Sequence, residues 1–170
     1  TPEYAYYNKG MLLSDFKFIF FWEYFHRLWG RIIGIVFILP FLYLIVSKKI
    51  DKFITIRLLT ILFFGSLQAF IGWWMVKSGL IDKPDVSQYR LAIHFGNSLL
   101  ILFLLFWLIL DLKYKKSRIK FDLNLIIFFI IFVTIIAGSL VAGMDAGLMY
   151  NTYPLMNESF FPIDYLSLGV

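Results

Sequence analysis

The chain has 170 residues and a formal net charge of +5 at pH 7, and 61% of its residues are hydrophobic while only 16% are charged. With a mean hydropathy of +0.80, it is predicted to be an integral membrane protein. The absence of cysteine excludes disulfides, thiolate metal sites and a nucleophilic cysteine. The basic residues lie mainly in short loops between apolar segments, so the positive charge indicates membrane topology and not nucleic-acid binding.

Residues 1–17 are polar and aromatic and are expected to form a loop before the first membrane span. The sequence does not begin with Met, and it lacks the basic start and short apolar core of a signal peptide. Both observations lead us to expect a fragment of a longer protein.

Four apolar segments follow, each close to or above the length of about 20 residues that a helix needs to cross a bilayer. They are predicted at 18–46, 58–76, 91–110 and 123–142. Loops of roughly a dozen residues between helices favour an antiparallel bundle of sequential neighbours. The predicted fold is therefore all-α, a polytopic integral membrane protein with a four-helix transmembrane bundle over residues 18–149, followed by a loop over residues 150–170.

The basic residues orient this bundle. The loops that join spans one to two and three to four contain nine Lys and Arg, whereas the opposite side contains five. By the positive-inside rule, the first pair of loops is cytoplasmic, and segments 1–17 and 150–170 are extracytoplasmic. Spans one and three then run in the same direction, and their histidines, His26 and His94, lie at matching depth in the outer half of the membrane.

The head of the first span carries four ionisable residues in an otherwise apolar helix. A charge at mid-bilayer costs roughly 3 kcal/mol, so such residues usually face a protein interior, a water-filled cavity or a bound group. At about 100° per residue, a carboxylate, an imidazole, a guanidinium and two glycines fall within about 60° of one direction: Glu23, His26, Arg27, Gly30 and Gly34. Together with Arg31, they mark this stretch as the candidate functional centre.

Two histidines that face each other across a bundle favour bis-axial ligation of a haem iron over a zinc site, which normally has four protein or water ligands. The glycines would leave space for a flat macrocycle. Arg90, one turn before His94, joins Arg27 and Arg31 as a candidate to pair with haem propionates.

Each of these features has a simpler interpretation. A single histidine near a membrane interface is more often a polar interfacial residue, and Arg27 or Arg31 could extend towards lipid headgroups. Glycine faces usually serve helix packing. Asp145 and Asn151 could bind the substrate or shape a lid, but caps and turns explain them equally well. Asp85 and Tyr89 could form part of the same outer cover, with packing as their simpler interpretation.

Four blocks of the sequence, in order, resemble the haem A synthase family, from about residue 16 to residue 156. They are EYFHR at 23–27, WWMVKSGL at 73–80, DVSQYRLAIH at 85–94 and GSLVAGMDAGLMYNTYPLM at 138–156. The resemblance implies the amino-terminal half, without its first span, of an eight-span protein built from two similar four-helix halves.

The family converts haem O to haem A by oxidising the C8 methyl group to a formyl group, which supports cytochrome oxidase maturation. The resemblance therefore implies an oxidoreductase in which His26 and His94 are axial ligands of the substrate haem and Glu23 is the catalytic carboxylate. It also implies a haem b in the carboxy-terminal half. Some members have a cysteine pair in an outer loop, for which this chain has no counterpart.

The implied setting is the bacterial cell membrane or the mitochondrial inner membrane, with the haem site towards the extracytoplasmic side. Haem O, the lipid bilayer, the carboxy-terminal half, haem O synthase and cytochrome oxidase assembly proteins are the implied partners. Two other function classes stay open at this point. One is a bis-histidine cytochrome b-type module that transfers electrons without changing its haem, and the other is a transporter or assembly subunit whose buried charges line a pathway.

Overall fold

The computed structural model describes residues 9–79, 86–114, 121–148, 152, 154–156 and 158–160. Within these residues the chain forms four α-helices and a short 3₁₀ turn: α1 Leu13–Val46, α2 Lys52–Gly79, α3 Gln88–Tyr114, α4 Leu123–Gly143 and the turn Ala146–Leu148. All four helices are long and apolar enough to cross a membrane. The prediction of an all-α, four-helix integral membrane protein is confirmed.

Capping residues explain why two helices are longer than their predicted apolar spans. Helix α1 begins at Leu13, within the segment expected to be a loop, where the Asp15 carboxylate accepts a hydrogen bond from the Leu12 amide at 3.3 Å. Helix α2 begins at Lys52, where Asp51 accepts one from the Ile54 amide at 2.8 Å. Because these carboxylates satisfy amides that a helix start leaves unpaired, the helices extend past the apolar residues.

The outer surface of the bundle is apolar. Large hydrophobic side chains such as Phe18, Ile33 and Phe129 are more than half exposed, whereas few apolar residues are buried by the protein itself. In water such a surface would cause aggregation, but hydrocarbon solvates it. The exposed residues are therefore the lipid-facing surface of the helices.

The helices pack as an open row in the order of the sequence. Helix α3 packs closely against both α2 and α4, and α1 packs only on α2. Among the described residues, no Cα atom of α1 lies within 8 Å of a Cα atom of α3 or α4. The side of the bundle between α1 and these two helices is therefore open.

Helix α3 approaches its two neighbours at glycines. A Cβ atom added at Gly72 of α2 would lie 2.9 Å from the Cε1 atom of His94, and one added at Gly143 of α4 would lie 2.9 Å from the Cα atom of Gln88. Small residues of this kind let membrane helices approach closely. Helix α3 is consequently held on both sides near its first turns.

An ion pair joins α2 and α3 at the opposite end of the bundle. Arg57 lies 3.1 Å from the fully buried Asp111 carboxylate, and its guanidinium carbon is 4.0 Å from the centroid of the Trp107 ring. The sequence placed Arg57 and Asp111 in loops, but the longer α2 and α3 include both residues. Because a buried charge is costly without its partner, this pair favours one register between the two helices.

Candidate functional site

Helix α1 presents its ionisable residues on a surface that no other described helix covers. Glu23 and Arg27, one turn apart, form an ion pair with 3.5 Å between the Oε2 and Nη1 atoms, and both side chains are about half exposed. His26 and Arg31 are also exposed. Residues with these charges are unfavourable against hydrocarbon, so their position indicates a face that a polar or charged group covers.

The glycines of this stretch lie in open space. No atom lies within 4 Å of a Cβ position built at Gly30 or Gly34, apart from the local backbone of the helix. Within the described residues, Gly30 and Gly34 make no contact that would support a role in helix packing. Their free surface is consistent with the alternative, space for a flat ligand beside His26.

The second histidine, His94, lies near the start of α3 and is half-buried against α2. Its imidazole contacts α2 at Gly72, where a Cβ atom would lie 2.9 Å from the ring carbon Cε1. The Nδ1 atom is buried and makes no hydrogen bond within the described residues. His94 is therefore held by the protein on one side, in contrast to the exposed His26.

Polar residues of α2 and α3 connect to His94 in a hydrogen-bond network. The Gln68 amide nitrogen donates to the backbone carbonyl of His94 at 3.1 Å and lies 3.3 Å from its Nε2 atom. Asn97 donates to the Gln68 side-chain oxygen at 2.6 Å and to the Phe64 carbonyl at 3.1 Å. Because unpaired polar groups are costly in hydrocarbon, this network gives α2 and α3 a single favoured arrangement around His94.

His26 lies on α1 and His94 on α3, and both of these helices pack on α2. Yet the backbones of α1 and α3 remain more than 8 Å apart throughout the described residues. The two histidines therefore lie on helices that do not touch within the described residues, and this arrangement leaves space for a group between the helices.

Among the described residues, no cluster of three or more His, Asp or Glu side chains could hold a metal ion by itself. Two imidazoles alone suit a metal whose remaining ligands come with it, such as the iron of a porphyrin. The two imidazole nitrogens are thus donors of the kind that haem iron accepts.

An apolar groove begins at His94 on the side away from α2. It has a volume of about 380 Å³ and lies between α3 and α4, with Phe95, Gly138 and Ala142 among its walls. A second groove of about 360 Å³ shares Gly138 and Ala142 and leads to Asp145, which follows the end of α4 with a φ of +51°. An apolar ligand bound near His94 would find contiguous apolar surface here.

Arg90 links α3 to α2 one turn before His94. It donates a hydrogen bond to the Trp74 carbonyl at 2.8 Å, and its guanidinium carbon is 4.3 Å from the centroid of the Trp74 ring. Guanidinium has five N–H donors, so this contact leaves others for an anion. The structure thus brings Arg90 close to His94, while Arg27 and Arg31 lie near His26 on α1.

Two residues singled out from the sequence, Asp85 and Asn151, lie outside the described residues. Tyr89 is within them and is 67% exposed at the start of α3. The structure therefore does not test a role for Asp85 or Asn151.

The chain matches the family model COX15-CtaA, described as cytochrome oxidase assembly protein, over residues 1–169. The chain belongs to this family. Relatives named heme A synthase occur in Nitrosospira multiformis, with 44% identity over 176 residues, in Wolbachia pipientis of Culex pipiens, with 48% over 174 residues, and in Flavobacterium psychrophilum, with 45% over 166 residues.

These matches cover 99%, 99% and 94% of this chain, but 49%, 53% and 49% of the respective relatives. The chain thus spans about half the length of the curated relatives it matches. No solved structure matches it significantly. The family assignment confirms the resemblance that the four sequence blocks indicated.

The sequence analysis assigned no role to Gln68 or Asn97, although Gln68 contacts His94 and Asn97 contacts Gln68. The available signal was their chemistry, because an amide side chain inside an apolar span is unfavourable unless it has a partner. Which partner each amide has depends on how α2 and α3 are rotated against each other, and hydropathy does not report this rotation.

Proposed function

We propose that this chain forms the substrate site of a membrane oxidoreductase that converts haem O to haem A by oxidising the C8 methyl group to a formyl group. The observation that carries the proposal is the position of His26 and His94 on two helices that both pack on α2 and do not contact each other within the described residues. Family membership and relatives named heme A synthase support the same reaction.

In this proposal His26 and His94 are the axial ligands of the substrate iron. Both are neutral nitrogen ligands of the kind that haem iron accepts. His94 is held in place by α2, whereas His26 lies on a helix that packs only on α2. His94 thus provides the fixed side of the site, and α1 provides the side that adjusts to the substrate.

Glu23 is the proposed catalytic carboxylate. It lies one turn before His26 and is paired with Arg27 on the open face of α1. A carboxylate at this position accepts a proton from water near the reacting methyl group, and positioned proton transfer of this kind typically contributes 10²–10⁴-fold to a rate. Arg27 orients Glu23 through their ion pair.

The arginines are the proposed propionate ligands. Arg27 and Arg31 are exposed on α1 and Arg90 lies beside His94, so basic groups flank both imidazoles. Guanidinium groups bind carboxylates through paired, charge-assisted hydrogen bonds. Neutralising the two propionates in this way would favour binding of the haem within the membrane.

The wider setting follows from the length of the relatives and the charge of the loops. We place the site towards the extracytoplasmic side of a bacterial cell membrane or the mitochondrial inner membrane, because the more basic loops lie at the other end of the helices. The remaining half of the protein would hold a haem b that receives the electrons. Haem O synthase and cytochrome oxidase assembly proteins are the proposed partners for delivery and use of the haem.

The proposal is tested by expressing the intact protein in a membrane that contains haem O and analysing both the bound haem and the products. Native protein should contain low-spin haem and yield haem A. His26→Ala and His94→Ala should each lose the low-spin spectrum of this site and the product.

Two results would contradict the proposal. If haem binding by this half is unchanged in both histidine variants, the ligand assignment is wrong. If the native protein binds haem O and returns it unaltered while it still transfers electrons, the site is a bis-histidine cytochrome module and not the site of oxidation.

A further inference from the structure

We propose that the apolar groove between α3 and α4 binds the isoprenoid chain of haem O and so makes the site prefer this haem to haem b. Haem O carries a hydroxyethylfarnesyl group at the position where haem b carries a vinyl group. The inference rests on the proposed function for the identity of the substrate, but it does not depend on which residues bind the iron.

The groove lies beside the candidate site. His94 forms part of its wall, and from there the groove runs between α3 and α4 as far as Ile135. Residues 135 and 142 both line it, and they are about 10 Å apart along the axis of α4. A group bound beside His94 can therefore extend a chain into the groove, towards the middle of α4.

The walls of the groove suit an apolar chain. Apart from His94 and Ser139, the residues that line it are apolar: Leu91, Phe95, Ile135, Gly138 and Ala142. The hydroxyl of Ser139 donates to the Ile136 carbonyl at 2.7 Å, so its hydrogen already has a partner. A polar group would gain little in this groove, whereas an isoprenoid chain matches its walls.

Two close contacts between α3 and α4 lie near the ends of the groove. A Cβ atom added at Gly143 would lie 2.9 Å from the Cα atom of Gln88, and one added at Gly96 would lie 3.0 Å from the Cδ1 atom of Ile136. Because the helices are held together at both places, a flat macrocycle cannot insert between them. A flexible chain can lie along the groove while the macrocycle stays outside it.

Small residues of α4 provide the space for this chain. Nothing lies within 4 Å of a Cβ position at Gly138, apart from the local backbone of the helix, and Ala142 follows one turn later. Lipid is as apolar as the groove, so burial alone does not drive the chain into it. What the groove adds is many packing contacts with a chain held in one place. Its effect is therefore to orient and select the haem.

The second groove indicates which way the chain runs. It shares Gly138 and Ala142 with the first groove but leads to the Asp145 carboxylate, outside the end of α4. An isoprenoid chain does not replace the water around a carboxylate. The chain is therefore assigned to the first groove.

The test uses the intact protein in lipid bilayers, equilibrated with equal amounts of haem O and haem b. The bound haem is then extracted, and the two haems are quantified by chromatography. Native protein should bind haem O in preference to haem b. Ala142→Leu, which adds bulk to the groove from an exposed position, should lower the ratio of bound haem O to haem b about 10-fold, the range expected when an added side chain overpacks a site.

Gly138→Leu is a second groove variant and should have the same effect, because its Cβ position meets nothing within 4 Å. Ala137→Leu is the matched control, since it makes the same change as Ala142→Leu at an exposed position of the same helix that lines neither groove. It should keep the native ratio. Val141→Phe adds bulk to the second groove alone and should keep it too.

Three results would overturn the proposal. The first is a native protein without preference for haem O. The second is a native ratio in both Ala142→Leu and Gly138→Leu, which would mean that lipid acyl chains and not the substrate occupy the groove. The third is a loss in Ala137→Leu or Val141→Phe as large as that in Ala142→Leu.

This proposal and the proposed function fail in different ways. If His26→Ala and His94→Ala retain bound haem while Ala142→Leu loses the preference for haem O, the ligand assignment is wrong and the groove assignment stands. If both histidine variants lose the haem of this site while the two groove variants keep the native ratio, the proposed function stands and the groove assignment is rejected.

Discussion

The imidazole of His94 lies against the backbone of α2 at Gly72, where a Cβ atom would come within 2.9 Å of the ring carbon Cε1. Glycine at this position is therefore a condition for the observed position of the histidine. A small residue on α2 thus sets the position of a proposed ligand on α3. It also provides a way to move the imidazole without changing any polar group.

Gly72→Ala should displace the His94 ring and weaken haem binding. The added methyl group meets the end of a side chain and not backbone, so the ring can move while the helices stay in place. We expect haem affinity to fall about 10-fold or more, in the range seen when the orientation of a metal ligand is lost. Absorption spectra of the protein titrated with haem O check this expectation.

Gly65→Ala is the control for that variant, because it makes the same change on the same helix and its Cβ position has nothing within 4 Å. Haem binding by Gly65→Ala should equal that of native protein. Equal binding by Gly72→Ala as well would show that the ring does not need the space that Gly72 leaves.

Gly143→Ala should destabilise the packing of α4 on α3. Here the added methyl group would lie 2.9 Å from the Cα atom of Gln88, so the two backbones must separate. Overpacking of this kind costs about 1–3 kcal/mol. Thermal unfolding in detergent micelles measures the loss, with Gly138→Ala on the same helix as the control, since nothing lies within 4 Å of its Cβ position. A destabilisation no larger than that of Gly138→Ala would contradict the close approach of the helices.

Arg57→Ala should lower the free energy of unfolding by about 3 kcal/mol or more, because it leaves the buried Asp111 carboxylate without its ion-pair partner. Arg27→Ala removes an ion pair whose side chains are about half exposed and should cost less than about 1 kcal/mol. Chemical denaturation of the two variants compares the pairs directly. Similar losses for both would mean that Asp111 is adequately stabilised without Arg57.

Glu23→Gln should retain bound haem O but stop its oxidation. The amide keeps the size of the side chain and cannot act as a carboxylate base. Product analysis after reconstitution with haem O provides the measurement. Asp15→Asn changes another carboxylate of α1, one that caps the helix start, and should leave the product unchanged. Normal haem A formation by Glu23→Gln would remove Glu23 from the mechanism.

Much of the fold was accessible from local features of the sequence. The apolar segments predicted four spans, and Asp122, whose side chain accepts from the Leu125 amide at 3.2 Å, marked the start of α4 at the predicted residue. The same reasoning missed the first turns of α1 and α2. The limits of an apolar segment show which residues cross the membrane, whereas the start of the helix is set by a capping carboxylate that lies outside this segment.

The candidate site divides in the same way. Sequence by itself determined that the chain has two histidines on two spans and that Glu23, His26 and Arg27 share a helix face. Composition and helical period are properties of single segments, so the sequence alone reports them. Tertiary structure decided that α1 does not touch α3 or α4 within the described residues. It also decided that Gln68 and Gly72 hold His94. These contacts depend on how the helices are rotated and spaced. That arrangement is set by side chains from different segments packing together, so no single segment reports it.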